Sequence, residues 1–372
     1  MGELNETPGG SRIHLAFFGK RNAGKSTLIN ALTGQSVSIV SDQPGTTTDP
    51  VSKAMEILPL GPCLLTDTAG LDDDAGELGA LRVAKTRAVL ETTEVAIIVV
   101  AGELGALERE LIATCTRRGI AHLVYRRGDS VDGLKAKIAA LAPSDTPPPL
   151  VGDLVQPGDV VVCVCPIDSA APKGRLILPQ QQVVRELLDA GAIPVVCRET
   201  ELAAALTRLV RPPAFVITDS QAFGVVSKTL PSDIPLTSFS IVFARAKGDL
   251  AAYAAGAAAL RTLKDGDAVL IAEGCTHHRQ CTDIGTVKLP KWIQSYTGRT
   301  LNFVWASGNS FPDDLSPYRL VVQCGGCMLT RRAVQARIAR CRAADVPIAN
   351  YGICIATCHH IAFSPDSRMV VR

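Results

Sequence analysis

The sequence predicts an α/β protein built from three successive blocks, and three observations carry that prediction. Short apolar runs of strand length alternate with amphipathic helical patterns along the chain, as βαβ units around a buried parallel sheet require. A glycine-rich loop, GKRNAGKS (Gly19–Ser26), sits between the first such run and the first helical pattern. A proline-rich break, PSDTPPP (Pro143–Pro149), separates the first block from the rest, because its prolines stiffen the chain and cannot continue a helix.

The first block runs from the strand IHLAFF (Ile13–Phe18) to the helix-like DGLKAKIAAL (Asp132–Leu141). The second opens with the strand DVVVCVCP (Asp159–Pro166). It continues through an amphipathic helix at QQQVVRELLDAG (Gln180–Gly191) to the strands IPVVC (Ile193–Cys197) and AFVITDS (Ala214–Ser220). The third has an alanine-rich helix over Leu250–Leu263 and strands at DAVLIAE (Asp267–Glu273), LNFVWA (Leu301–Ala306) and RLVVQC (Arg319–Cys324). The domains expected are 1–150, 151–245 and 246–372: a P-loop nucleotide-binding domain with a parallel-type sheet, followed by two smaller α/β domains.

Composition excludes several classes of function. With 47% hydrophobic residues in 372, the chain has ample material for a core, so wholesale disorder is ruled out. Its 38 bases and 36 acids leave a net charge of +2, too little for a chain that coats nucleic acid or anionic lipid. The longest apolar stretch, Leu250–Leu260, is well short of the ~20 residues of a membrane span. MGELNETPGGSR lacks the regions of a signal peptide, so a cytoplasmic location is expected, with neither a membrane nor a nucleic acid as partner. Disulfides are disfavoured there, so clustered members of the 12 cysteines point to metal or redox chemistry, and isolated ones to packing.

The glycine-rich loop fits G-x-x-x-x-G-K-[ST] in the setting that motif needs, after an apolar strand and before a helix that stops at Gly34. From Gly19 through Asn22, Ala23 and Gly24 to Thr27, backbone N–H groups and the helix N-terminus cradle phosphates. Lys25 reaches the β and γ oxygens, and Ser26 ligates magnesium. PGTTTD (Pro44–Asp49) then supplies Thr47 as the switch threonine that closes on magnesium. DTAG (Asp67–Gly70) puts Asp67 near the metal and the Gly70 amide near the γ-phosphate.

In these motifs and their order, the block resembles the GTPases related to Era and the tRNA-modification GTPase TrmE. That resemblance implies GTP with Mg²⁺, and an activating K⁺ bound with help from Asn22. Leu71 stands where Ras-like switches carry the glutamine that orients the attacking water. The resemblance implies K⁺ and a nearby acid instead, with Asp72, Asp73, Asp74 and Glu77 at hand, and slow turnover without a partner. Guanine recognition is degraded. AHLVYRRGDS (Ala121–Ser130) is either a worn N-K-x-D segment, with Arg126 and Arg127 replacing Asn and Lys and Asp129 surviving, or the last loop of a domain one βα unit short.

In the third block, EGCTHH carries Cys275 and His277 just after one strand, and QCGGC carries Cys324 and Cys327 just after another. Both segments leave the C-terminal ends of strands, where open α/β sheets gather ligands. The residues themselves admit a Cys₃His structural zinc, a thiol redox pair or an iron–sulfur cluster. PIDSAAPKGRLILPQQQ, VITDSQAF, TSFSIVFARAKGDL, LIAEGCTHHRQC, DIGTVKLP, QCGGCMLTRR and VPIANYGI together resemble HydF, the family of FeFe-hydrogenase maturation GTPases.

That resemblance covers nearly the whole chain and implies a homodimer that holds a 4Fe–4S cluster. The implied protein accepts a diiron subcluster precursor built by the radical-SAM maturases HydE and HydG, and delivers it to apo FeFe-hydrogenase. The cluster thiolates carried over are Cys275, Cys324 and Cys327. The family's usual histidine before the CxxC is Gln323 here, which leaves His277, an exchangeable ligand or Cys281 as the fourth. The rival reading is an Era/TrmE-like RNA-modification or ribosome-assembly GTPase with a structural zinc. Cys163 and Cys165 share one face of a strand and read as packing, as do Cys63, Cys115, Cys197 and Cys341. Cys354, Cys358, His359 and His360 form a further His/Cys group with no matching motif.

Overall fold

The computed structural model describes residues 7–34, 51–71, 86, 88–141, 148–167, 176–274, 283–308, 310–364 and 369–371. The chain divides into two compact units, Met1–Thr146 and Pro147–Arg372.

The first unit is built on β1 (Ile13–Phe18), β2 (Val51–Ile57), β3 (Gly61–Asp67), β4 (Val95–Val100) and β5 (Ala121–Arg126). Their order is β2-β3-β1-β4-β5, with β2 antiparallel to β3 and every other pair parallel. β4, VAIIVV, is buried along its whole length, as a strand covered by helices on both faces must be. Leu28, Ile29 and Leu32 of the helix Lys25–Thr33, with Leu134 and Ile138 of the helix Val131–Leu141, cover one face. Leu111 and Cys115 of the helix Ala106–Arg117 cover the other. β5 is the edge strand and leads directly into the helix Val131–Leu141; among the described residues no further strand of this unit follows it. The order switches direction at β1, so the glycine-rich loop leaves the carboxyl end of the strand beside the switch, where such sheets bind ligands.

The second unit holds two sheets of matching strand order. β6 (Val160–Val164), β7 (Ile193–Cys197), β8 (Phe215–Thr218) and β9 (Leu236–Ser238) run parallel in the order β7-β6-β8-β9. β10 (Ala268–Ala272), β11 (Asn302–Ala306), β12 (Tyr318–Gln323) and β13 (Ile348–Asn350) run parallel in the order β11-β10-β12-β13. In each, the first and third strands lie side by side, the switch point at whose carboxyl ends open α/β sheets bind ligands. The hairpin β14 (Ala362–Ser364) and β15 (Met369–Val371) returns to pair antiparallel with β9, extending the first of these sheets to six strands.

One apolar core joins the two sheets, with Val162, Val216 and Leu236 from one and Leu270, Ile271 and Val321 from the other. The helix Tyr351–Cys358 lies in it and buries Ile353, Cys354, Ile355 and Ala356. The alanine-rich helix ends at Ala258 and tightens into a 3₁₀ turn, Ala259–Thr262. It approaches β13 so closely that a Cβ on Gly256 would meet the Ile348 carbonyl oxygen at 2.0 Å. The helix Phe239–Lys247 packs Phe239, Val242 and Phe243 against the outer face of the β6–β9 sheet. Ser238 caps it, accepting from the Ile241 amide at 3.2 Å.

Candidate functional site

Two sites can be built from the residues upward, one in each unit. In the first, β1 ends at Phe18 and the chain turns sharply through Gly19. A Cβ there would lie 2.3 Å from the Val99 carbonyl oxygen, so only glycine lets the loop pass β4. Asn22 (φ 59°) and Gly24 (φ 98°) adopt left-handed backbone, which curls the loop over the N-terminus of the helix Lys25–Thr33. Lys25 is buried beneath this curl, its ammonium donating to the carbonyl oxygens of Gly19 at 3.1 Å and Lys20 at 2.9 Å. The Gly19 carbonyl also accepts from the Leu71 amide at 3.1 Å, which ties the DTAG segment containing Gly70 to the loop.

Ser26 donates to Asp67 Oδ2 at 2.7 Å across 41 residues of sequence. The other carboxylate oxygen of Asp67 is buried without a hydrogen-bond partner among the described residues. Burial pushes the Asp67 carboxyl up from its ordinary range, against the opposing pull of the Ser26 hydroxyl and the Lys25 charge. A hydroxyl paired with a carboxylate that keeps one oxygen orphaned fits a divalent cation, since hard cations take such oxygens.

A cleft of about 390 Å³ opens over this loop, lined by Asn22, Ala23, Gly24, Lys25, Ser26 and Thr27. Tyr125 and Arg127, from the end of β5, line its far side. Asp129 does not line it. Its Oδ2 accepts from the Arg126 amide at 2.9 Å, while the Asp129 carbonyl accepts from the Tyr125 hydroxyl, so the residue closes its own turn. Thr47, Asp72, Asp73, Asp74 and Glu77 lie outside the described residues.

In the second unit, β10 and β12 pair in parallel and end together, Ala272 opposite Gln323. Cys324 Sγ accepts from the Gly274 amide at 3.0 Å and from the Gly326 amide at 3.4 Å. The first of these bonds ties the CGGC turn to the residue before Cys275. Cys275, His277 and Cys281 themselves lie outside the described residues. Gly326 (φ 68°) supplies the left-handed backbone that closes the turn. A Cβ on Gly274 would come within 2.8 Å of Leu329, so the two loops meet without room for a side chain.

Burial pushes the Cys324 thiol up, although the two amides oppose it. Burial also raises Cys327, to about 11, with the neighbouring Cys324 adding to the rise and Lys247 opposing it. Burial raises packing cysteines such as Cys63 in the same way. What fits this pair to a metal centre is geometry, two backbone amides donating to Cys324 Sγ as they would to a metal-bound thiolate. Among the described residues no three His, Cys, Asp or Glu side chains come together as a complete metal set. Of the expected ligands, Cys324 and Cys327 are the two that the described residues include; Cys275 and His277 lie outside them.

Three neighbours of this turn were not singled out from the sequence. Lys247 sends its ammonium into it, bonding the carbonyl oxygens of Gly326 (3.2 Å), Cys327 (3.1 Å) and Leu329 (2.7 Å). Burial pulls Lys247 down to about 8, with both thiols opposing the fall. Glu273, 5% exposed, accepts from the Tyr351 hydroxyl at 3.4 Å at the end of β10. A glutamate closing the apolar run AVLIA was a visible signal for Glu273; Lys247 and Tyr351 lie in the resembling segments TSFSIVFARAKGDL and VPIANYGI, with no local pattern that marks either one. Gln323, 1% exposed, donates to the Tyr253 hydroxyl at 3.2 Å.

The remaining cysteines pack. Cys63, Cys115, Cys163, Cys165, Cys341 and Cys354 are buried, Cys163 and Cys165 in the same core, while Cys197 is half-buried. Cys354 lies one helical turn before Cys358, and that neighbouring thiol together with burial pushes the Cys354 thiol up. His359 meets the Trp292 ring edge-on at 5.5 Å and His360 lies 5.5 Å from Tyr296, so this His/Cys group is held by aromatic contacts.

Three family models match the chain. The 50S ribosome-binding GTPase model matches residues 14–126, the hydrogen maturase F dimerization domain 150–248, and the hydrogen maturase F tetramerization domain 251–363. The tRNA modification GTPase MnmE of Methylobacterium radiotolerans is 37% identical over 119 residues, 31% of this chain and 27% of its own. MnmE of Myxococcus xanthus is 44% identical over 90 residues, 24% of this chain and 20% of its own. GTPase Der of Clostridium perfringens is 41% identical over 101 residues, 26% of this chain and 23% of its own. The chain thus spans about a quarter of the length of these curated relatives. With both hydrogen maturase F domains following the GTPase domain in order, and together matching more than half of its length, the chain belongs to the HydF family.

Proposed function

We propose that this protein is a GTP-hydrolysing scaffold of FeFe-hydrogenase maturation that holds a 4Fe–4S cluster, receives a diiron precursor and passes it to the apo-hydrogenase. The observation that carries the reading is the bond from the Gly274 amide to Cys324 Sγ, which joins the two cysteine segments at the ends of adjacent strands. Cys275, Cys324 and Cys327 would hold the cluster, with His277, Cys281 or an exchangeable ligand on the remaining iron. When bound, a cluster of this type stores an electron and offers that iron to an incoming ligand. The chain's own part is to desolvate the sulfurs, donate two amides to Cys324 and keep β10 and β12 in register.

In the nucleotide cleft, Ser26 and Thr47 would hold Mg²⁺, Asn22 would help bind K⁺, and Lys25 would meet the transferred phosphate. Leu71 supplies no polar group, which supports slow turnover that depends on K⁺. The Gly19 carbonyl joins Lys25 to the segment after Asp67, so nucleotide state has a direct route to the DTAG loop. Ordering of such loops by the γ-phosphate is how GTPase switches bias their partners. Self-association through the 150–248 and 251–363 segments, with a homodimer as its simplest form, is expected from the two matched domains. HydE, HydG and the apo-hydrogenase would be the transient partners, in the cytoplasm.

The test is activation of purified apo FeFe-hydrogenase by this protein after incubation with HydE and HydG. Wild type should activate it and Cys327→Ala should not, while GTP turnover should fall when Na⁺ replaces K⁺. RNA binding together with stoichiometric zinc and no activation would support the ribosome- or tRNA-directed alternative instead.

A further inference from the structure

A lysine ammonium sunk among backbone carbonyls usually finishes a helix or caps a turn. Lys247 does more than either role requires. It is the last residue of the helix Phe239–Lys247, inside the segment matched by the dimerization domain, yet all three carbonyls it binds belong to the turn that follows Cys324 and Cys327. Its own backbone is pinned in turn. The Gln335 amide donates to the carbonyls of Lys247 at 2.9 Å and Gly248 at 3.0 Å, and the ammonium sits 5.4 Å from the Phe243 ring centroid. The other end of the same helix also touches the turn, because a Cβ on Gly325 would lie 3.2 Å from Ser240 Cα. One helix from the neighbouring segment therefore supports the CGGC turn at both ends and delivers a positive charge that interacts with both of its sulfurs.

We propose that Lys247 is a positioning residue of the cluster site, holding the 324–329 turn so that its amides face the sulfur of Cys324, and that its charge raises the reduction potential of the bound cluster. This rests on the cluster reading above. The physical ground is that a cluster's potential follows its net surroundings: a cation and N–H donors beside the sulfurs favour the reduced, more negative state. Loss of the ammonium removes the cation. It also releases the carbonyls of Gly326 and Cys327, and with them the geometry of the 3.4 Å bond from the Gly326 amide to Cys324 Sγ. Both changes push the potential in the same direction.

The experiment is an EPR-monitored redox titration of the full-length protein, anaerobically reconstituted with iron and sulfide, as wild type, Lys247→Gln and Lys247→Arg. Lys247→Gln keeps N–H donors but not the charge. It should bind iron in wild-type amount, with its midpoint potential moved to more negative values and an altered EPR line shape. Lys247→Arg should return the potential to the wild-type side. Should Lys247→Gln not fold, Lys247→Met, which keeps the stem and drops the charge, decides in its place: a potential moved to more negative values supports the role, and a wild-type potential overturns it. A Gln variant with wild-type potential and spectrum overturns it as well. A wild-type protein that takes up no iron overturns the cluster reading, a different failure.

Discussion

Nucleotide selectivity is where this chain should depart most measurably from the GTPases it resembles. A carboxylate that accepts two hydrogen bonds from a guanine edge contributes about 1.5–3 kcal/mol for each, so a pair discriminates against adenine by roughly a hundred- to ten-thousand-fold. Here the surviving acid, Asp129, spends Oδ2 on the Arg126 amide at 2.9 Å, and the cleft is lined instead by Tyr125 and Arg127. Ring and guanidinium planes stack on any base, for about 1–3 kcal/mol, with little preference among purines. We therefore expect GTP and ATP to bind within about tenfold of each other once those two hydrogen bonds are missing. Asp129→Asn should leave both affinities unchanged, whereas Arg127→Ala should weaken both by a similar factor. The assay is competition of GTP, ATP and XTP against a fluorescent guanine nucleotide in the presence of Mg²⁺. A preference for GTP above a hundredfold that passes to XTP in Asp129→Asn would show instead that Asp129 reads the base.

Other outcomes follow from single contacts. Ser26→Ala removes the donor 2.7 Å from Asp67 and should make nucleotide affinity nearly insensitive to Mg²⁺, measured by titration with and without EDTA. Gly256→Ala gains up to about 1 kcal/mol of helix propensity but drives a Cβ to 2.0 Å from the Ile348 carbonyl oxygen. Overpacking of that kind costs typically 1–3 kcal/mol or more, so the thermal midpoint should fall, and an unchanged midpoint would contradict the packing. His14 is held neutral by burial, its Nε2 2.9 Å from the Gly9 carbonyl oxygen, and burial likewise lowers the His359 pKa. A depressed folded pKa means the unfolded chain takes up protons first, so stability is full above about pH 6.5 and falls below it. In His14→Gln the thermal midpoint should fall less between pH 7 and 5 than in wild type.

Local chemistry was legible in the sequence; pairings set by distant parts of the chain were not. GKRNAGKS announces its own geometry, because glycines at 19 and 24 and a lysine at 25 have meaning only around a loop that curls over a helix end. The pairing of the CGGC turn with the end of β10 could be anticipated from two strands ending in cysteine motifs, since parallel strands gather ligands at that end. Lys247 could not. FARAKGDL reads as an ordinary basic helix end, and only the tertiary fold brings it under residues 326–329, some 80 positions away. Asp129 is a second case: Gly128 (φ 103°) lets the chain curl back so that Asp129 Oδ2 accepts from the Arg126 amide, a contact that no sequence pattern announces. The return of β15 to β9 was hidden as well, because an edge pairing leaves no periodicity of its own. β11 reads as a buried run, yet Val304 and Trp305 are exposed, since an edge strand is covered on fewer sides.

Anaerobic purification followed by iron, zinc and acid-labile sulfide analysis, with EPR of the reduced protein, decides whether Cys324 and Cys327 hold an iron–sulfur cluster. Iron and sulfide in equal amounts with a cluster signal are expected, both lost in Cys324→Ala and Cys327→Ala chains that remain folded. Colourless wild-type protein carrying zinc, or iron retained in full by both variants, would contradict that assignment.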